Sequence, residues 1–497
     1  MSEHSGSQRR QLYINGQWRD AEGGAWFEVL DPSTNEVLGS VAKASAQDVN
    51  EAVAAARRAF ESGPWHGMTG VERGAILRKV AAMILERLDA LAELESRDVG
   101  KPITESKNVD IPHVAATFEF YANLAGVIEG ETIPVGSGFL DYTVREPIGV
   151  IGGITPWNFP FVLAARKLAP ALAAGNTVVF KPAQLAPLTT MGYGDLFHEA
   201  GLPPGVVNLV PGTGSEAGEA LIQHPDVDKI AFTGSTEVGK HITTACCGIK
   251  RVQLEMGGKG PAIIFADADL SAAVNSVMFG AFLNQGETCC SATRLYVEES
   301  VYRKVTEMLI ERTRKIKIGP PLDPATQMGP MISRGQLQVV EDYIKSGLDQ
   351  GAKLLLGGAR PDDEGLSRGN YILPTLFENV ADDARIAREE IFGPVLAIFP
   401  FRQEEEVVAR ANDTLYGLSA GVFSNDVKRC HRIAGQLRAG TVWINVFNFV
   451  FAEAPYGGYK QSGLGRELGV RSIEEYTEVK NVVVDLSAEG FDWYGIS

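Results

Sequence analysis

Apolar and polar residues first change over in short runs and then settle into a helical period. Leu12 to Ile14 and Phe27 to Leu30 read as short strands separated by turn residues, after a tail, residues 1–10, that reads as disordered. From Ser45 an alanine-rich stretch through Phe60 has helical spacing, with Asp48 three residues on as a capping-box acid; Val71 to Arg97 repeats the 3.6-residue period. From Gly149 to Phe265 the pattern changes. Apolar runs at Val150-Ile151, Thr177 to Phe180, Val206 to Val210, Lys229 to Phe232 and Val252 to Leu254 are separated by helical stretches, which predicts a parallel βαβ sheet. A second alternating region runs from Pro261 through the strand Arg294 to Val297 and on to about Asn445, and predicts a separate α/β domain. Near the end, Tyr476 to Leu486 alternates at Val479, Val482 and Val484, as an edge strand that pairs with another subunit would.

Composition sharpens this picture. A chain of 497 residues exceeds one growing hydrophobic core, so two or more domains are expected. With 45% hydrophobic and 22% charged residues it is of the ordinary soluble globular class. A net charge of −16 argues against nucleic-acid and anionic-membrane partners, which call for a basic face. The five cysteines, Cys246, Cys247, Cys289, Cys290 and Cys430, are too few and too clustered for a disulfide framework, so a reducing compartment is expected. No His or Cys spacing resembles a zinc site, and no metal is expected. The polar N-terminus and the lack of a long apolar run point to the cytoplasm.

A doubly wound sheet binds ligands beyond the carboxyl ends of its strands, so chemistry is sought there. Ile230 to Gly239 sets a strand, a glycine turn and a helix start in sequence, suited to a dinucleotide diphosphate or simply to a tight turn. Lys181 ends another strand, where it would meet ribose hydroxyls or else be solvated. Asn158, between Pro156 and Pro160, can donate to an oxyanion or cap the following helix. Glu255, before Gly257 and Gly258, is a general base with raised pKa or a surface acid next to Lys259. Behind the turn at Gly286, Cys289 and Cys290 are candidate nucleophiles or small buried apolar residues.

Taken in order, TPWNFP, FKPA, FTGSTEVG, LEMGGKGP, NQGETC, EEIFGPV (Glu389 to Val395) and PYGGYKQSGLGRE (Pro455 to Glu467) resemble the NAD(P)-dependent aldehyde dehydrogenase superfamily over nearly the whole chain. The resemblance implies an α/β fold with a Rossmann-type parallel-sheet cofactor domain (residues 1–128 and 148–257), an α/β catalytic domain (258–460) and a β oligomerisation arm (129–147 and 461–497). It implies a homo-oligomer, dimer or tetramer. By motif, Cys289 is the nucleophile, Glu255 the general base, and Asn158 with the Cys289 N–H the oxyanion hole. The cofactor side would comprise Thr155, Trp157, Lys181, Gln184, Gly214, Thr233, Gly234, Ser235, Val238, Gly239, Gly257, Glu390 and Phe392. Such an enzyme adds the thiolate to an aldehyde, passes hydride to NAD and hydrolyses the resulting thioester. Gln184 stands where the family usually has a glutamate that would repel a 2′-phosphate, so NAD use with some tolerance of NADP is expected.

By motif offset the substrate pocket includes Phe159, Leu163, Arg166, Thr288, Cys290, Asn448, Val450 and Tyr456. The C-terminal half is similar to betaine aldehyde dehydrogenases, yet Arg166 and Tyr456 stand at positions usually tryptophan, which disfavours a cationic substrate. Arg166 is similar to members that accept semialdehydes or hydroxyaldehydes, although Leu283 replaces the second arginine of succinate-semialdehyde enzymes. Alternatively, Arg166 pairs with Glu287 or points away, leaving a passage for aliphatic or aromatic aldehydes. Glu287 replaces the commoner glutamine, where it would raise the Cys289 pKa or pair with a cation. A CoA-acylating dehydrogenase and a non-redox cysteine hydrolase are the competing classes; the first typically lacks the base, and the second needs a histidine, of which these motifs have none.

Overall fold

The computed structural model describes residues 8–246, 248–488 and 490–495. Most of the expected tail and Cys247 therefore lie outside the described residues. Gln8–Arg10, read as tail, is instead a strand, pairing in parallel with Val37–Ala42. The segment Val71 to Arg97 divides at Arg87 into two helices, Gly70–Glu86 and Leu88–Val99. Ser45 caps the helix Ala46–Ser62 with Asp48 in a reciprocal capping box, a contribution of about 1 kcal/mol.

Five strands form the first large sheet: β1 (Val150–Ile154), β2 (Thr177–Lys181), β3 (Val207–Leu209), β4 (Lys229–Thr233) and β5 (Arg251–Glu255). All five are parallel, in the order β5-β4-β1-β2-β3, with antiparallel strands added at both edges. Alternate residues feed two cores. Ile151, Val178, Phe180 and Ala231 pack on one face against Leu77, Phe118 and Leu168, and Val150, Val179, Ile230 and Phe232 pack on the other against Val49, Val53 and Ile242. Both faces are thus covered by helices, which is why these strands read as continuous apolar runs.

The second sheet contains β6 (Gly260–Ile264), β7 (Ala292–Glu298), β8 (Thr375–Glu378), β9 (Val395–Phe401), β10 (Ser419–Phe423) and β11 (Thr441–Ile444). Its parallel order is β8-β9-β7-β6-β10-β11, with Lys353–Leu356 antiparallel at one edge. A third, smaller sheet pairs Thr477–Asp485 with Phe139–Pro147 over nine residue pairs and adds Thr132–Ile133. Its apolar residues Phe139, Leu140, Val479 and Val483 are exposed. No described helix is long and apolar enough to cross a membrane.

This topology fixes where chemistry gathers. β5, β4 and β1 are neighbours in register, Glu255 beside Thr233 and Phe232 beside Ile154, so Thr155, Gly234 and Met256 leave the sheet at one end. The chain passes from β5 directly into β6, whose first residue pairs with Ala292 of β7. Cys289 and Cys290 precede β7, so the carboxyl ends of the first sheet face the amino ends of the second.

Candidate active site

The helix Leu270–Phe282 ends where Asn284 (φ 48°), Gln285 (φ 55°) and Gly286 (φ 73°) turn left-handed in succession. For the two non-glycine residues this costs about 1–2 kcal/mol each. The surroundings hold them there. Asn284 donates its N–H to Glu105 Oε2 (3.0 Å) and its Nδ2 to Asn158 O (2.8 Å), while Gln285 Oε1 accepts from the Gly329 N–H (3.2 Å). The turn delivers Cys289 half-buried to the wall of a cavity of about 340 Å³, with its Sγ 3.5 Å from the Tyr456 hydroxyl. Cys290 is buried, and its thiol donates to Asn448 Oδ1 (2.9 Å).

Contact with the Cys290 thiol and burial raise the Cys289 pKa well above its ordinary value, while the Tyr456 hydroxyl and Arg166 pull it down. The same contact lowers Cys290. Both thiols line the cavity, Cys289 half-buried and Cys290 buried. Glu287 does neither thing expected of it. It is wholly buried, its Oε1 accepts from the Ile332 N–H (3.1 Å), burial raises its pKa, and it is not among the groups that shift the Cys289 thiol.

Asn158 is buried and donates Nδ2 to Glu287 O (2.8 Å), which leaves its second N–H for the cavity. It does not cap the following helix, whose N-cap is Phe159 without a side-chain bond. The Cys289 N–H donates to no protein acceptor among the described residues. Asn158 and Cys289 thus line one cavity, each with an N–H that no described protein acceptor takes.

Glu255 is 3% exposed and no surface acid, but neither carboxyl oxygen has a hydrogen-bond partner. Burial, then the charge of Glu467, raises its pKa well above normal; Lys167 opposes this. The side chain is turned from the cavity wall toward Gly457, where an added Cβ would lie 2.6 Å from Oε1. Behind it, Lys167 Nζ donates to Glu467 Oε1 (2.5 Å) and to Thr233 Oγ1 (2.6 Å), with Lys167 and Glu467 both 1% exposed. These two residues went unnoticed in the sequence because they are 300 positions apart and neither stands at a strand end.

Trp157 and Phe392, also on the cavity wall, meet edge to face (5.3 Å), and Glu390 Oε1 accepts from the Gly258 N–H (2.9 Å). Burial pushes Glu390 up to about 8. Gly257 gives the Glu390 carboxylate room, since a Cβ would lie 2.0 Å from Oε2 and would displace it. Ser235 Oγ accepts from the Val238 N–H as the N-cap of the helix Thr236–Ala245, which leaves its O–H and second lone pair free. Gly239 packs that helix against Met256. Lys181 is buried rather than solvated; burial pushes it down to about 8, and its Nζ donates to Pro182 O (3.1 Å). Thr155 Oγ1 is buried without a partner, whereas Gln184 and Gly214 are exposed.

The family model described as the aldehyde dehydrogenase family matches residues 18–482. The chain belongs to this family. Its relatives include betaine aldehyde dehydrogenase of Bacillus subtilis, 46% identical over 97% of this chain and 99% of that protein, and human retinal dehydrogenase 2, 47% identical over 96% and 92%. Among solved structures, the NAD+ complex of aldehyde dehydrogenase from Bacillus cereus superposes with a TM-score of 0.94 at 45% identity, covering 97% of each chain. Betaine aldehyde dehydrogenase from Staphylococcus aureus, in complex with NAD+, gives 0.95 at 40%, covering 98% of this chain and 96% of that one.

For an aldehyde dehydrogenase, the cavity gathers a telling set. All eight residues expected in the substrate pocket line it, together with Cys289, Asn158, Trp157, Thr233, Gly234, Ser235, Gly257, Glu390 and Phe392. Thr155, Lys181, Gln184, Gly214, Val238, Gly239 and Glu255 are not on its wall. Arg166 neither pairs with Glu287 nor points away; it lines the cavity with Cζ 5.1 Å from the Tyr456 ring centroid. Val109, Asp110 and His113 were missed. They come from the π-helical turn Ser106–Asp110 and the helix after it, whose apolar period reads as scaffold. A histidine therefore does line this site, although the polar contact of the Cys289 sulfur outside the thiol pair is with Tyr456 rather than His113.

Proposed function

We propose that the chain oxidises an aldehyde to the free carboxylic acid with NAD+, using Cys289 as nucleophile, Asn158 and the Cys289 N–H as oxyanion hole, and Glu255 as base. One observation carries the reading: a half-buried thiol and an oriented amide donor share one cavity with the Glu390, Trp157 and Phe392 wall. The fit to a dinucleotide is supported by the buried Lys181 and unpartnered Thr155 hydroxyl at adjacent strand ends, and by the helix start at Ser235. Bound there, NAD+ would supply the hydride acceptor. Lys181, Thr155 and exposed Gln184 would hold its adenosine half, and Glu390 its nicotinamide ribose. With no carboxylate at position 184, NADP+ is used at a lower rate.

The residues then divide the work. Deprotonated Cys289 attacks the carbonyl carbon, and the negative oxygen is received by Asn158 Nδ2 and the Cys289 N–H. Loss of hydride from that carbon leaves a thioester on Cys289. Glu255 rotates from Gly457 toward the thioester and takes a proton from water, whose oxygen adds to the acyl carbon; the C–S bond then breaks, releasing the acid and the Cys289 thiolate. The small third sheet, with its exposed apolar residues, serves as the arm of a homo-oligomer, and the central thiols suit a reducing cytoplasm. A panel of aldehydes with NAD+ and NADP+ tests this: NADH and free acid should form in equal amounts without CoA. A CoA requirement, or a preference for NADP+ above about tenfold in kcat/KM, which is about 1.4 kcal/mol, would overturn it.

A further inference from the structure

We infer that Glu105 is a positioning residue for the nucleophile: by accepting the Asn284 N–H it ends the helix before the turn and sets where Cys289 stands. This rests on the reading of Cys289 as the nucleophile of an aldehyde-oxidising site.

The last bond of the helix Leu270–Phe282 runs from the Leu283 N–H to Phe279 O. The next amide, that of Asn284, leaves the ladder because Asn284 and Gln285 turn left-handed (φ 48° and 55°). Asn284 is 0% exposed, so water does not take that N–H, and a buried donor left without a partner is costly. Glu105, 179 positions away, supplies the acceptor through Oε2 at 3.0 Å. The other bonds of Asn284 stay within the site: its Nδ2 donates to Asn158 O and Glu287 O, its Oδ1 accepts from Gln285 Nε2, and its carbonyl from the Glu287 N–H. Among the described residues, Glu105 alone bonds Asn284 to the helical scaffold. Beyond this point the turn is stiff. Thr288 Oγ1 donates to Leu283 O (3.1 Å) and the Glu287 N–H to Asn284 O (2.8 Å), so a shift at Asn284 is passed on to Cys289, the residue after Thr288.

Glu105 is itself held fast. It closes the short helix Ile103–Glu105, and the π-helical turn Ser106–Asp110 follows at once. The Ile103 N–H donates to Pro321 O (2.8 Å), and Ser106 Oγ meets Ser96 Oγ (2.8 Å). Lys101, wholly buried, places its Nζ 2.7 Å from Asp110 Oδ2, 3.7 Å from Glu95 Oε1 and 3.9 Å from the Phe159 ring centroid. Asp110 and Phe159 line the cavity. The segment from Lys101 to Asp110 thus meets the site twice, at the cavity wall and at the nucleophile turn, and is clamped between the two. Burial pushes Glu105 up to about 8, with Lys101 opposing, so at neutral pH it is chiefly a carboxylic acid. What Asn284 requires is therefore an acceptor oxygen at the right reach rather than a charge. Glutamine keeps that oxygen, whereas aspartate, one methylene shorter, withdraws it.

The test compares Glu105→Gln, Glu105→Asp and Glu105→Leu with the wild type, using NAD+ and the fastest aldehyde of a panel (acetaldehyde, hexanal, benzaldehyde). In the Asp and Leu variants kcat should fall about tenfold to a hundredfold, the scale set by a misplacement of about 1 Å at a reacting atom, while KM for NAD+ changes less than about twofold. The Gln variant should keep kcat within about threefold of the wild type, because its amide oxygen still accepts. Hydrogen exchange at the Asn284 amide, followed by mass spectrometry without substrate, should quicken in the Asp and Leu variants and not in the Gln variant. Should the Leu variant fail to fold, the Asp and Gln variants carry the comparison, since both stay polar and close in size. An unchanged kcat in the Asp variant, unaltered exchange at Asn284, or a Gln variant as slow as the Asp variant would overturn the inference. So would a loss in kcat matched by a rise in KM for NAD+ or by faster exchange throughout the chain, the mark of a merely structural residue. An active wild type with an unaffected Asp variant sinks this inference alone. A wild type that forms NADH from no aldehyde sinks the reading of Cys289 and this inference with it.

Discussion

Replacing Asn158 by alanine separates catalysis from stability, and the structure gives the size of each effect. The side chain makes one bond, Nδ2 to Glu287 O at 2.8 Å, whose loss costs about 1 kcal/mol. Its Oδ1 is buried with no partner, and deleting that oxygen relieves a penalty of about 1–3 kcal/mol. The two nearly cancel, and Asn284 Nδ2, 3.4 Å from Glu287 O, can take over the vacated carbonyl. Folding stability should therefore change by less than about 1 kcal/mol, a shift in Tm of about 2 °C or less for a chain of this size. Catalysis has no such compensation, because only the Cys289 N–H remains to meet the oxyanion. The expected loss in kcat is about 10² to 10³, or about 2.7–4 kcal/mol of transition-state stabilisation. Steady-state NADH formation and a thermal melt on the same preparation measure both. A loss below tenfold would refute the assignment of Asn158. A fall in Tm large enough to explain the loss would make it a structural residue instead.

Other expectations follow from the same geometry. Cys289→Ala should abolish NADH formation, whereas Cys290→Ser should keep a burst of NADH in rapid-mixing experiments. Glu255 acts as a base only when ionised, so activity is lost as pH falls through its raised pKa. In Glu467→Gln one cause of that elevation is removed, so the acid limb of the kcat profile should move to lower pH. In Lys167→Met the opposing cation is removed, so the limb should move to higher pH; general damage would not give opposite signs. Gln184→Glu should reduce NADP+ turnover relative to NAD+, as read from the ratio of their kcat/KM values.

Much of this molecule is legible in one dimension because its chemistry is placed by parallel strands. A buried strand reads as an apolar run, its carboxyl end is marked by glycine or proline, and Asn158, Lys181, Gly234 and Glu255 all stand at such ends. The nucleophile loop is legible for the same reason: its left-handed turn needs Asn284 and Gly286. Pairing across the sequence is what the pattern does not carry. Lys167 with Glu467, Lys101 with Asp110 and Glu105 with Asn284 are buried polar contacts made between distant elements or across an irregular turn. His113 was hidden inside an amphipathic period, where one polar residue on a buried face does not disturb the pattern. The direction of a side chain is equally silent, as Glu255 and Arg166 show: one residue expected in the cavity is turned from it, and one of open orientation lies on its wall.

In the proposed mechanism Cys289 carries the substrate as a thioester. The most direct measurement uses Glu255→Gln, in which hydrolysis is impaired, mixed with NAD+ and a reactive aldehyde and then quenched in acid for intact mass and peptide mapping. The expected result is a burst of one NADH per subunit and one acyl group on the peptide holding Cys289, at Cys289 itself. NADH formation with that thiol unmodified, or an acyl group on Cys290, would contradict it.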